Sequence, residues 1–484
     1  MSRLYEKMED HAKQAPKNKA FTYRDLEQYE SIDYVTLLSY VDSLSDQLSA
    51  YRDQTIAIIG NNKLEYAVSL LAVLCNVGNA FLIEKELRRE DILKIFGQVK
   101  PDLIILDEEL NFCFEGYATV QFCDIKRMMK EERHFLPRDP AFAGHLILHT
   151  SGTTGEPKIV MLSEEQYYGV IPELNQKWEV RSEHSCLLII PLYHIYALTS
   201  LFHGLYAGIN NILEWDYKRL GTVLSETKPH LFMGVPLMYH RIMEAALQKA
   251  GRKLWVAIGI SNLLLRFGID VRKKWFHGIW EYFGGNFVFG VSAGSPLPQE
   301  TGKFFHDVGL PVYNVYGMTE TSGPVAISYK DHVRYDCVGE ILRVNKVKIE
   351  SPDAHGVGHV CIRGSNVFEG YLGEGTSANF DGEYFDTGDL GYVKDQYLYV
   401  VGRANGILIG ANGKNISSKE LMQRLMECKE IRDCKVIMEN DRLIAIVNTD
   451  LEEEELQKVL ERVNHLLPRY KRISEVRIVE KRIK

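Results

Sequence analysis

The sequence predicts an α/β protein: a large multi-layer N-terminal α/β domain ending in a β-rich part, then a small C-terminal α+β domain. Three observations carry this expectation. Apolar, β-branched runs recur between amphipathic helical stretches; the texture turns near Val338 to short alternating strands with glycine turns; and after Arg403 it turns again to a helix, two strands, a helix and a strand. At 484 residues the chain exceeds what one hydrophobic core ordinarily holds, so two or more domains are expected.

The elements follow in order. The N-terminus, MSRLYEKMEDHAKQ, has no apolar h-region, so no secretory signal is expected and the protein reads as cytoplasmic. The runs TIAIIG (55–60), DLIILD (102–107), HLILHT (145–150), SCLLII (185–190) and HLFMGV (230–235) are expected to be buried, largely parallel strands. The longest apolar stretch, 66–83, contains Asn76, Gly78 and Asn79, which suits a buried helix breaking at Gly78 into a short strand better than a membrane span. Beyond Val338, KVKIES (346–351), GHVCIRG (358–364) and YLYVVGR (397–403) read as strands of the β-rich part. The C-terminal domain is expected to hold helices at 419–428 and 451–467 and strands at 433–438, 442–448 and 475–479.

The formal net charge of −8 argues against a general nucleic-acid binder. The eight cysteines form no CxxC pair and no His/Cys cluster, so they read as reduced thiols with no zinc site.

The densest chemical signal is HTSGTTGEPKIVMLS (149–163). Thr150, Ser151, Thr153 and Thr154 supply hydroxyl donors, Gly152 and Gly155 let backbone N–H groups converge on an anion, and Lys158 adds a mobile positive charge. HLILHT runs straight into this loop, as phosphate loops at the C-terminal ends of strands do. It is not a Walker A motif, because no Gly-Lys-Ser/Thr closes it and no helix is expected to start at the lysine.

Together with YNVYGMTETSG (313–323), YFDTGDLGYV (384–393) and GRANGILIGANGKNIS (402–417), in that order, the loop resembles the adenylate-forming superfamily of acyl-CoA synthetases, peptide-synthetase adenylation domains and luciferases. NGKNIS, PLYHIYAL (191–198) and LPRYKRIS (467–474) are most similar to long-chain fatty acid CoA ligases. The resemblance covers nearly the whole chain and implies a large domain over 1–402, a hinge at 403–406 and a small mobile domain over 407–484.

It also implies roles. Joining a carboxylate to the α-phosphate of ATP brings two anions together, so charge must be neutralised while the groups are held in line. The 150–158 loop would embrace the β- and γ-phosphates, Thr319 the α-phosphate, and Glu320 a Mg²⁺ ion, a hard cation that takes oxygen ligands. Tyr316 would stack on adenine with Gly317 beside it, although the same tyrosine also reads as a strand-end core aromatic. Ala293, Gly294 and Ser295 in VSAGSPLP would border the base. Asp389 would accept hydrogen bonds from both ribose hydroxyls, assisted by Arg403. Tyr193, His194 and Tyr196, followed by VPLMYHRI (235–242), would border the acyl and thiol tunnels; a satisfied core histidine is the competing reading of His194. The segment 251–285 mixes six basic residues with aromatic and aliphatic ones, either an interfacial surface that meets anionic lipid or a solvated basic face over a buried stripe.

Three departures from the family pattern stand out. Two residues after the hinge arginine, where Asp or Lys is usual, the chain has Asn405, followed by Gly406, and Lys414 stands where other branches have Arg. The family's C-terminal Pro-Lys-Thr-x-x-Gly-Lys segment has no counterpart, with Lys481 and Lys484 the nearest substitutes. The sequence thus reads as an AMP-forming carboxylate–CoA ligase that uses ATP, Mg²⁺ and a fatty acid, with CoA or a carrier-protein phosphopantetheine as acceptor, cytoplasmic or peripheral to a membrane. The rival readings are a ligase for aryl or amino acids or carrier proteins, and an adenylate-binding relative with impaired catalysis.

Overall fold

The computed structural model describes residues 2–26, 28–131, 142–151, 157–373, 379–404, 407–409, 415–428, 430–439 and 442–479. A six-stranded sheet runs Thr119–Gln121, Leu103–Leu106, Thr55–Ile59, Asn79–Leu82, Leu146–Ser151 and Pro157–Leu162 in spatial order. All its pairings are parallel except the last, which is an antiparallel hairpin. Alternation along each strand divides the side chains. Ile56, Ile58, Leu103, Ile105 and Leu146 enter the main core on one face. Ala57, Ile59, Ile104, Leu106 and Ile147 enter a second cluster with Phe96 and Phe114 on the other. Burial on both faces explains why these strands read as unbroken apolar runs.

The larger sheet has a parallel block, Lys19–Asp25, Asn210–Leu213, Ser185–Leu188, Leu231–Gly234, Phe289–Ser292 and Val312–Met318 in spatial order. The β-rich part extends this sheet through antiparallel pairings. Val312–Met318 joins the two halves: its first residues pair in parallel with Phe289–Ser292, and its last pair antiparallel with Gly323–Ile327. Sequence reading overlooked the antiparallel edge hairpin of Lys19–Asp25 and Gln28–Asp33, because KAFTYRD and QYESID are too polar to stand out as a sheet.

The stretch 66–83 forms a helix, Leu64–Ala72, a π-helical turn, Val73–Val77, and a strand, Asn79–Leu82. Gly78 is required by space rather than by backbone angle, since a Cβ there would lie 2.1 Å from the Gln54 carbonyl oxygen. Among the described residues no helix is long and apolar enough to cross a membrane. Beyond Arg403, helices Ser418–Met426 and Glu453–His465 pack on a sheet of Ile431–Glu439, Arg442–Thr449 and Glu475–Ile478. Leu421, Leu425, Val436, Ala445, Leu456 and Leu460 form an apolar core of their own there.

Candidate active site

In the hairpin of Leu146–Ser151 and Pro157–Leu162, Thr150 stands directly opposite Lys158. Opposed residues of an antiparallel pair project from the same face, and both line a cavity of about 1010 Å³. Lys158 thus sits on a strand, in keeping with the non-Walker reading. Gly152, Thr153, Thr154 and Gly155 lie outside the described residues, and the side chain of Ser151 lies outside them too.

Thr319 and Glu320 lie on a 3-10 turn, Thr319–Thr321, after the strand Val312–Met318. The buried Thr321 hydroxyl accepts from the Met318 N–H (3.0 Å) and donates to the Gly323 carbonyl (2.7 Å), closing the turn and leaving Thr319 and Glu320 on the cavity wall. Gly317 is fixed by close approach, since a Cβ would lie 1.9 Å from the Gly323 carbonyl oxygen. Sequence reading missed the clamp on this turn. Asn366 Nδ2 donates to the Thr321 carbonyl (2.8 Å), the Phe368 N–H to the Glu320 carbonyl (2.8 Å), and the Tyr371 hydroxyl to Glu320 Oε1 (2.8 Å). The Tyr371 ring also carries the Lys158 ammonium 4.4 Å from its centroid. The segment NVFEGYL (366–372) has no glycine-rich or charged signature that would have marked it.

Asp389 follows Gly388, whose φ of +70° glycine adopts readily. Its carboxylate is engaged on both oxygens: Oδ2 accepts from the Tyr316 hydroxyl (2.6 Å), and Oδ1 lies 2.7 Å from Arg403 Nε. Arg403 Nη1 donates to the Thr387 carbonyl (2.9 Å). Burial raises the Asp389 carboxyl above the usual aspartate range, opposed by the Arg403 charge. Burial, followed by the neighbouring Asp389 charge, pushes the Tyr316 hydroxyl well above its ordinary value. A carboxylate has about four lone-pair sites, so Asp389 retains acceptor capacity toward the cavity it lines. Tyr316 is tied to the carboxylate and is also a cavity-wall residue, so it is not simply a core aromatic. Ala293, Gly294 and Ser295, after the strand Phe289–Ser292, line the same cavity.

A second cavity, about 1470 Å³, adjoins the first. Ile190, His194 and Val235 line both. His194 precedes the helix Ile195–Ala207, with its ring centroid 4.5 Å from that of Tyr193. Tyr193 hydrogen-bonds Glu86 at the larger cavity, whereas the Tyr196 hydroxyl donates to the Val291 carbonyl (2.9 Å) and braces the strand behind the smaller one. Leu237, Met238 and Ile242 from VPLMYHRI complete an apolar wall. Leu466, Pro468 and Tyr470, from beyond Arg403, also line both cavities. Lys414, Asn405, Gly406, Lys481 and Lys484 lie outside the described residues.

Residues 8–372 match the family model described as AMP-binding enzyme. This chain belongs to the AMP-binding enzyme family. It is 30% identical over 303 residues to the long-chain-fatty-acid–CoA ligase ACSBG2 of Mus musculus, covering 56% of this chain and 45% of that protein. It is likewise 30% identical over 315 residues to the long-chain-fatty-acid–CoA ligase FadD15 of Mycobacterium tuberculosis, covering 59% and 50%. The chain thus spans about half the length of the curated relatives it matches. The o-succinylbenzoate CoA synthetase MenE of Bacillus subtilis superposes with a TM-score of 0.74 at 20% identity, over 98% of this chain and 95% of that one. A malonyl-CoA ligase superposes at 0.73 with 22% identity, over 97% and 98%. These two likenesses concern the fold.

Glu320 suits a Mg²⁺ ion in its chemistry, as an oxygen donor whose Oε1 is oriented by Tyr371 on the cavity wall. Among the described residues no cluster of three or more His, Cys, Asp or Glu could hold a metal alone. A magnesium site of one or two carboxylates completed by substrate phosphates needs no such cluster.

Proposed function

We propose that this protein is an AMP-forming carboxylate–CoA ligase acting on medium- or long-chain fatty acids. The observation that carries the reading is the junction at His194 and Val235, where a cavity bearing Lys158, Glu320 and Asp389 meets a larger, more apolar cavity walled by Leu237, Met238 and Ile242. An acid in the larger cavity would present its carboxylate to the α-phosphate of ATP in the smaller one. The carboxylate oxygen bonds to phosphorus and pyrophosphate leaves; a thiolate then attacks the acyl carbon and AMP leaves with its electron pair. Two relatives that are 30% identical carry long-chain-fatty-acid–CoA ligase names, and MenE has been solved with ATP and magnesium ion.

In this reading Thr150, Lys158 and Thr319 hold phosphates, Asp389 with Arg403 holds the ribose, and Tyr316 with 293–295 borders the base. Glu320 would hold Mg²⁺, which neutralises phosphate charge when bound. The chain would turn at a hinge over 403–406, between a large body at 1–402 and a small one at 407–484. The separate apolar core beyond Arg403 supports that division. Pyrophosphate exchange with octanoate, palmitate, benzoate and phenylalanine tests the proposal. Preference for the two fatty acids is expected, and preference for phenylalanine or benzoate would refute it.

A further inference from the structure

The helix Arg252–Arg266 is apolar on two sides. Leu254, Ile258 and Ser261 point inward and are buried. Val256, Ile260, Leu263 and Phe267 recur at spacings of four, three and four, so they form one outward stripe. All four are exposed, Val256 at 63% and Phe267 at 74%, and Ile269 continues the apolar surface beyond the helix. Contiguous apolar exposure on this scale marks an interaction face.

The surrounding charge indicates what the face meets. Between residues 249 and 277 the sequence carries seven lysines and arginines and one acidic residue, Asp270. Asp270 is already paired with Arg272 at 2.7 Å. The chain as a whole is at −8, so this is a local reversal of sign. An apolar stripe flanked by excess positive charge complements a bilayer with anionic headgroups. The same helix also walls the larger cavity. Leu254 lines that cavity from the inner side of the same helix, and Trp275 and Tyr282 line it while remaining exposed. Such rings, apolar with a polar tip, suit a membrane–water boundary.

We propose that the outward stripe of Arg252–Arg266 docks this protein on anionic phospholipid bilayers and sets the rim of the larger cavity at the membrane surface. Entry of a fatty acid from the bilayer into that cavity rests on the fatty acid reading above; the docking does not. Cosedimentation with phosphatidylcholine vesicles, with and without about 30% phosphatidylglycerol, is the direct test. The wild-type chain is expected to bind the anionic vesicles and to be released by about 0.5 M salt. Combining Val256→Ser, Ile260→Ser, Leu263→Ser and Phe267→Ser should lower the partition coefficient more than about tenfold, with ATP affinity unchanged as the check on folding. Lys253→Gln with Lys274→Gln should weaken binding about threefold or more and flatten its salt dependence.

Wild-type protein that stays in the supernatant with both vesicle types would overturn the proposal, as would a four-serine variant that binds equally well. A wild-type dimer converted to monomer by the four serines would assign the face to self-association instead. Vesicle binding without pyrophosphate exchange on any fatty acid would leave docking standing and sink only the functional reading.

Discussion

Asp389 separates a structural from a nucleotide-binding role more sharply than any other residue of the site. Its side chain is 4% exposed and that of Arg403 16%, with 2.7 Å between the charged atoms. Asp389→Ala strands the guanidinium in a largely dry setting, and breaking a buried pair from one side costs about 3–5 kcal/mol. That is a large part of the roughly 5–15 kcal/mol that holds a typical domain together. Asp389→Asn keeps the volume and loses the charge, so its stability cost should be smaller. Loss of a charge-assisted hydrogen bond to the ribose adds a binding cost of about 1.5–3 kcal/mol, roughly tenfold or more in ATP affinity. Urea unfolding and ATP calorimetry on both variants separate the two effects. A cycle with Tyr316→Phe, which removes the 2.6 Å contact, should give a coupling of about 0.5–3 kcal/mol in stability. If Asp389→Asn binds ATP as tightly as wild type while stability falls, the carboxylate is a brace for Arg403 and the ribose assignment is wrong.

Glu320→Gln should lower Mg²⁺-dependent pyrophosphate exchange by about 100- to 1000-fold; a loss under tenfold at saturating Mg²⁺ would remove Glu320 from the metal role. Tyr371→Phe should cost less, about tenfold, because it frees a carboxylate oxygen without removing the charge. Ala246→Trp, on the wall of the larger cavity, should shift preference from palmitate toward octanoate, since each methylene denied burial is worth about 0.8 kcal/mol; an unchanged ratio of kcat/KM values would place the acyl chain elsewhere. His203 is 1% exposed, and burial lowers its imidazole to about 4. The unfolded chain binds this proton near pH 6.5 and the folded chain only near 4, so His203 should subtract about 3 kcal/mol of stability as pH falls through that window. His203→Gln should flatten the urea midpoint against pH over that range, and an unaltered slope would contradict the assignment.

The periodicity of the chain determined its layers. Apolar runs such as TIAIIG and DLIILD can be satisfied only by burial on both faces, which forces a parallel sheet between helical layers. The glycine-rich hydroxyl loop and the Asp and Glu motifs were legible because their chemistry sits in contiguous residues. Tertiary structure decided what contiguity does not encode. The Tyr371 contact with Glu320 spans 51 positions and the Tyr316 contact with Asp389 spans 73; three strands separate those of Tyr316 and Asp389 in the sheet, and Glu320 sits on a turn, so no local pattern marks either pair. The meeting of two cavities at His194 and Val235 likewise arises from strand ends and helix starts far apart in sequence. The sequence also could not choose between a membrane-facing and a solvated 251–285, because an apolar residue at helical spacing reads the same whichever side it takes. Packing of Leu254 and Ile258 against the body turned Val256, Ile260, Leu263 and Phe267 outward, because a helix docked on one face must leave the opposite face to whatever surrounds the protein.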